Sequence, residues 1–149
     1  MQLPIEKKGN LRQYEAASIV SSLLQNTYRS FEYNEQELVY DKLQTSVEGE
    51  VLNEIYLDHI RSMKVKQAGG AQAKVKSVTI DSVQVRDEEQ GLIPLQTTWN
   101  VMGTVGHWGH QHIRKNRYEA LIYIAAIDGM WKVSDLDILE EVRVYPLVE

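Results

Sequence analysis

Apolar positions change period once along this chain, near Gly69-Gly70. Before that point they recur every three or four residues. Between Leu11 and Phe31 they fall at Tyr14, Ala17, Val20, Leu24, Tyr28 and Phe31, which predicts a helix with that stripe buried. Asn34 followed by Glu37 has the form of a capping box, with Asn in the usual Ser or Thr place. It predicts a second helix from Glu35 to Leu43 that buries Leu38, Val39 and Leu43. Ser46 to Gly49 reads as a break. A third helix follows, with Val51, Leu52, Ile55, Tyr56, Ile60 and Met63 on its buried side, and Gly69-Gly70 ends it.

After the glycines the period shortens to two. Val75, Val78, Ile80, Val83 and Val85 predict a long strand with one slip near Ser77-Val78. Asp87 to Gly91 is a polar turn. Strands are then expected over Leu92 to His107, His110 to Ile127 and Met130 to Tyr145. Trp108-Gly109 and Asp128-Gly129 supply two-residue turns between them. There is no internal repeat, low-complexity segment or linker. The chain reads as one α+β domain over 1–149: a polar lead-in over 1–10, helices over 11–68 and an antiparallel sheet over 71–146.

Strand phase follows from the turns. A two-residue turn at Trp108-Gly109 pairs His107 with His110 and Trp99 with Tyr118. One face then carries Leu95, Trp99, Val101, Val105, His107, His110, His112, Arg114, Tyr118, Ile122 and Ile124. Through the Asp128-Gly129 turn it also receives Trp131 and Val133. Beyond Val133 two phases remain: a regular strand adds Asp135 and Asp137 to this face, whereas a bulge adds Leu136 and Ile138. The apolar pattern favours the bulge.

Composition narrows the classes of function. The chain has 149 residues, enough for a core without disulfides or metals. It contains no cysteine, which excludes thiol catalysis, thiolate zinc sites and disulfide frameworks. The formal net charge of -5 argues against nucleic acid as a partner. No run has the ~20 apolar residues of a membrane-spanning helix, so direct membrane insertion is not expected. The first residues lack the apolar core of an intact signal peptide. No G-x-G-x-x-G, P-loop, H-E-x-x-H or G-x-S-x-G pattern occurs.

The element order and the last hairpin, Ala125-Ala126-Ile127-Asp128-Gly129-Met130-Trp131-Lys132-Val133, resemble the NTF2-like superfamily, also called cystatin-like. In that family a D-G turn precedes an aromatic residue, a Lys and an aliphatic residue. The resemblance implies an α+β cone, with N-terminal helices packed in the concave face of a curved four-stranded antiparallel sheet. The family holds isomerases, dehydratases, hydrolases, transport factors and noncatalytic accessory domains, so fold alone does not choose a function. Many bacterial domains of this kind sit outside the cytoplasm beside or tethered to membrane proteins. By that analogy the localisation expected is periplasmic or otherwise extracytoplasmic.

Three readings of the chemistry follow. The first is a noncatalytic binding or assembly module, read as the soluble domain of a larger exported or membrane-tethered bacterial protein. Its partner is a protein or a small ligand, or a second copy docked through Met102, Leu121 and Tyr123 on the other sheet face. The second is a lyase- or isomerase-type enzyme with a pocket in the cone, lined by Trp99, Tyr118, Arg114, Asp135 and Trp131. An Asp in an apolar wall can serve as a general base, and a Tyr can donate to an oxyanion. No catalytic set of the family aligns on this chain, so no catalytic residue is assigned, and Asp135 and Tyr118 read equally as a solvated strand residue and a core aromatic. The third is a divalent-metal site built from His107, His110 and His112, and it implies no other cofactor. Three imidazoles on one side of a hairpin suit zinc, nickel or copper. The spacing matches no zinc signature, and the plain alternative is a solvated hairpin tip. Arg114 or Arg117 is also expected to pair with Glu140 across the last hairpin.

Overall fold

A computed structural model describes residues 11–107 and 109–146, without the His107 side chain. Three helices precede four strands: α1 (Gln13–Ser30), α2 (Gln36–Leu43), α3 (Gly49–Gln67), β1 (Gln72–Val85), β2 (Ile93–His107), β3 (His110–Ile127) and β4 (Met130–Tyr145). The strands form one curved, open antiparallel sheet in the order β1-β2-β3-β4. Residues 1–10, Trp108 and 147–149 lie outside the described residues, and with them the lead-in and half of the predicted Trp108-Gly109 turn.

The middle of the sheet is its most regular part. β2 and β3 pair from Ile93↔Ile124 to His107↔His110 without a slip, and Trp99 faces Tyr118 as the turn required. Both edge strands carry bulges instead. β4 slips between Tyr123/Ile124, Glu119/Ala120 and Lys115/Asn116, placing the extra residues at Ser134, Leu139 and Val144. The expected bulge after Val133 is therefore present. Leu136 and Ile138 share a face with Ile122 and Ala120, while Asp135 and Asp137 pair with Tyr123 and Leu121 on the other.

β1 has two slips rather than the one expected, at Lys76 and at Asp81. Two three-residue steps, Val75 to Val78 and Ile80 to Val83, each need an extra residue to keep all five apolar side chains on one face. Bulges bend and twist a strand, so repeating them along both edges curls the sheet around the helices.

The core lies between the helices and one half of the concave face. Leu95, Ile122 and Ile124 from the sheet meet Val20, Leu24, Leu43 and Val51 from the helices. The buried stripe of α1 is Ala16, Ile19, Val20, Leu23 and Leu24. The predicted stripe is rotated from this one, and Tyr14 is 67% exposed. Ile19 and Leu23 complete the i, i+3, i+4 pattern better than Tyr14 does. The predicted capping box does not form either. α2 is preceded by Glu35, with no side-chain hydrogen bond to the helix start. Val39 and Leu43 are buried as expected, whereas Leu38 is half-buried.

The edges are closed at the helix-covered end. Gln13 of α1 bonds the edge of β1 twice, with Nε2 donating to Val83 O and Oε1 accepting from Val85 N. Gln25 Nε2 donates to Val78 O at 3.0 Å. On β4, Val133 N donates to Ser46 O at 2.8 Å and Val133 O accepts from Glu48 N at 2.9 Å. The segment between α2 and α3 thus serves as a one-residue parallel bridge on β4.

β1 also crosses close to β2. A Cβ at Gly103 would lie 2.4 Å from Lys74 O, whereas at Gly106 the nearest atom would be 3.4 Å away. Gly103→Ala is expected to destabilise the fold by about 1–3 kcal/mol, because backbone must move to admit the methyl group. Gly106→Ala should have a much smaller effect, and thermal melts of both variants check the contrast.

Candidate functional site

The helices leave half of the concave face open. The boundary is an aromatic group where α1 ends. Trp99 and Tyr118 stack with ring centroids 5.4 Å apart. Trp99 Nε1 donates to Tyr28 Oη at 3.2 Å, joining β2 to α1. On the covered side of this group lie Leu95, Ile122 and Ile124. On the open side the same face carries Val101, Gly103, Val105, His112, Arg114 and Asn116. Glu141 and Arg143 of β4 stand opposite Tyr118 and Asn116.

The polar groups here cluster around Tyr118. Asn116 Nδ2 donates to Tyr118 Oη at 3.5 Å. Burial pushes the Tyr118 hydroxyl above its ordinary pKa, and Glu141 adds to the shift while Asn116 and Arg114 oppose it. Tyr28 is pushed from 10.0 to about 12, chiefly by burial, with the Trp99 bond opposing. Both hydroxyls are thus kept neutral, suited to hydrogen bonding rather than to base catalysis near neutral pH. A hollow of about 150 Å³ opens beside Tyr28, between Gln25, Arg29 and Glu32 of α1 and Val75 to Val78 of β1.

Of the residues singled out from sequence, Trp99, Tyr118 and Arg114 come together here. Trp131 shares the concave face but pairs with Ala126, about 26 Å along β3 from Tyr118. Its Nε1 is buried without a hydrogen-bond partner. Asp135 lies on the opposite, convex face, where its carboxylate accepts from Leu136 N at 2.8 Å. The Ser134 bulge puts it there, so Asp135 does not line the concave face.

His110 and His112 fall on the concave side of the hairpin end, and both are exposed. The His107 side chain lies outside the described residues. Among the described residues no group of three or more His, Asp or Glu is placed to hold a metal ion. Sequence reasoning missed Tyr28, Asn116 and Glu141. The Ser134 bulge alone would turn Glu141 to the convex face; the Leu139 bulge returns it to the concave one, and only the first left a mark in the apolar pattern.

The convex face is mainly polar. Thr98, Arg117, Glu119 and Glu140 line a shallow hollow of about 160 Å³. Arg114 is on the other face and cannot meet Glu140; Arg117 shares that hollow with it. Tyr123 and Leu121 are neighbours on this face, but Met102 stands opposite Lys115, beyond the polar rows of Thr98/Glu119 and Asn100/Arg117. The three therefore do not form one continuous apolar patch.

These features define an open helix-on-sheet α+β domain. No protein-family profile matches the chain, and no curated protein matches it. Among solved structures it is similar to the crystal structure of the intermembrane space region of the chloroplast protein ARC6. That match has a TM-score of 0.58 and 15% sequence identity, and covers 87% of this chain and 98% of the other. At this identity the likeness shows the fold alone. No helix among the described residues is long and apolar enough to cross a membrane.

The raised Tyr28 pKa has a consequence for stability. The folded protein holds the proton more tightly than the unfolded chain, so this contribution is fully present below pH 10 and is lost as pH rises towards 12. Tyr28→Phe should remove that part of the alkaline slope and cost about 1 kcal/mol at neutral pH, from the lost Trp99 bond. Denaturant titrations of both proteins between neutral pH and pH 12 measure it.

Proposed function

We propose that this domain is a noncatalytic binding module of NTF2-like form, and that it holds a protein partner on the open half of its concave face. The observation that carries the reading is the half-covered sheet. Beyond the buried Trp99, the half-buried Tyr118, Val101 and Val105 offer an aromatic and aliphatic floor. Arg114 and Arg143 of the strands stand around it with Glu141. An apolar floor with a cationic rim suits a segment that presents apolar side chains and carboxylates. The hollow beside Tyr28, at about 150 Å³, is smaller than the ~300–1,000 Å³ of small-molecule clefts, which favours a partner laid across the surface there over an enclosed substrate.

The likeness to one region of a chloroplast protein supports a further part of the proposal. This domain is the soluble part of a larger protein and works outside the cytoplasm.

The test compares partner retention by wild type, Arg114→Glu and Lys132→Glu, the last altering the convex face. A protein retained by wild type and Lys132→Glu but lost with Arg114→Glu is the expected result. Equal retention by all three would place the binding surface elsewhere.

A further inference from the structure

In an antiparallel ladder, alternate residues turn both N–H and C=O away from the neighbouring strand. Counting from the Ile127↔Met130 pair, the outward residues of β4 are Trp131, Val133, Leu136, Ile138, Glu141 and Arg143. Two observed arrangements agree with this count. Val133 bonds Ser46 and Glu48 on its outer side, and Leu136 N is taken by the Asp135 carboxylate. Past Leu136 the edge runs on with no strand beyond it among the described residues.

Two further features mark this stretch. It is acidic: between Asp135 and Tyr145 stand Asp135, Asp137, Glu140 and Glu141 against one cation, Arg143. It is also flanked by exposed apolar side chains, Ile138 at 47%, Leu139 at 48% and Tyr145 at 56%. Charge alone is a common guard on a free edge. Apolar side chains left bare on both sides of it are not a guard.

We propose that the Glu140–Arg143 edge of β4 accepts a short, extended, basic segment of a partner protein as a fifth strand. Strand addition takes its affinity from main-chain hydrogen bonds and its selectivity from flanking side chains. Here the regular stretch between the bulges at Leu139 and Val144 sets the paired length at four residues. Glu141 and Arg143 supply the outward N–H and C=O groups. Glu140 and Asp137 on the convex side and Glu141 on the concave side select Lys or Arg, and Ile138, Leu139 and Tyr145 take an apolar residue at either end. The same charges oppose a second β4: two such edges side by side would set glutamates against glutamates.

The test uses three ten-residue peptides: alternating Lys and Val, alternating Glu and Val, and the Lys–Val peptide N-methylated at alternate amides. Fluorescence anisotropy reads binding, and hydrogen exchange reads the amides of Glu141 and Arg143. The expected result is binding of the Lys–Val peptide alone, with slowed exchange at both amides. Asp137→Lys combined with Glu140→Lys should weaken that binding about tenfold or more. Equal binding of the N-methylated peptide would overturn the proposal by showing charge attraction without strand pairing. So would binding of the Glu–Val peptide, or no binding of any. Slowed exchange that grows with protein concentration in the absence of peptide, and is abolished by Lys74→Glu with Lys76→Glu, would also overturn it, by making the β1 edge of a second copy the occupant. The N-methylated arm needs no variant, so a folding defect in the double mutant leaves the proposal open to refutation.

Discussion

The unslipped ladder between β2 and β3 sorts every side chain of the central strands onto one of two faces. A slip of one residue would exchange the faces, sending Leu95, Trp99, Ile122 and Ile124 outward and Gln96, Thr98 and Glu119 into the core. Burying glutamate in place of isoleucine is expensive enough to fix this register. The helices, the aromatic boundary at Trp99 and Tyr118, and the open half beyond it all take their positions from that pairing.

Curvature comes from the margins. The centre pairs residue for residue, while β1 carries two extra residues and β4 three. Extra residues only at the edges force the sheet to coil, which makes a concave side for α1 to enter. α1 does not fill that side. Its last turns reach Trp99 through Tyr28, and its glutamines tie it along β1. The same helix that completes the core therefore also sets where the core stops. The uncovered remainder of the face is formed by strands that run past the helices, and it is there that the cations and the half-buried Tyr118 hydroxyl collect.

Much of this fold was legible in the sequence because its signals are local. The Asp128-Gly129 turn, with both residues at positive φ, fixes the last hairpin. The change of apolar period at Gly69-Gly70 separates helices from strands. The Trp99–Tyr118 pairing followed by counting back from a two-residue turn. What failed was information held between elements. The rotation of α1 depends on which face meets Leu95 and Ile122, and the aromatic Tyr14 weighted the stripe the wrong way. The second bulges of β1 and β4 arise from edge strands fitting a curved neighbour, and a strand whose apolar residues are sparse, such as β4 beyond Ile138, does not record them. Glu141 entered the site through that unrecorded bulge, and Asp135 left it through the recorded one. Tyr28 falls in the predicted buried stripe, but nothing local marks its bond to Trp99, which joins residues 71 positions apart.

The most direct measurement is the accessibility of valine, leucine and isoleucine methyl groups to a soluble paramagnetic agent, read by NMR across the concave face. The account predicts strong broadening at Val101 and Val105 and little at Leu95, Ile122 and Ile124, with the change falling at the level of Trp99 and Tyr118. Equal protection of both sets would contradict it, because the whole concave face would then be covered and no open half would remain to receive a partner.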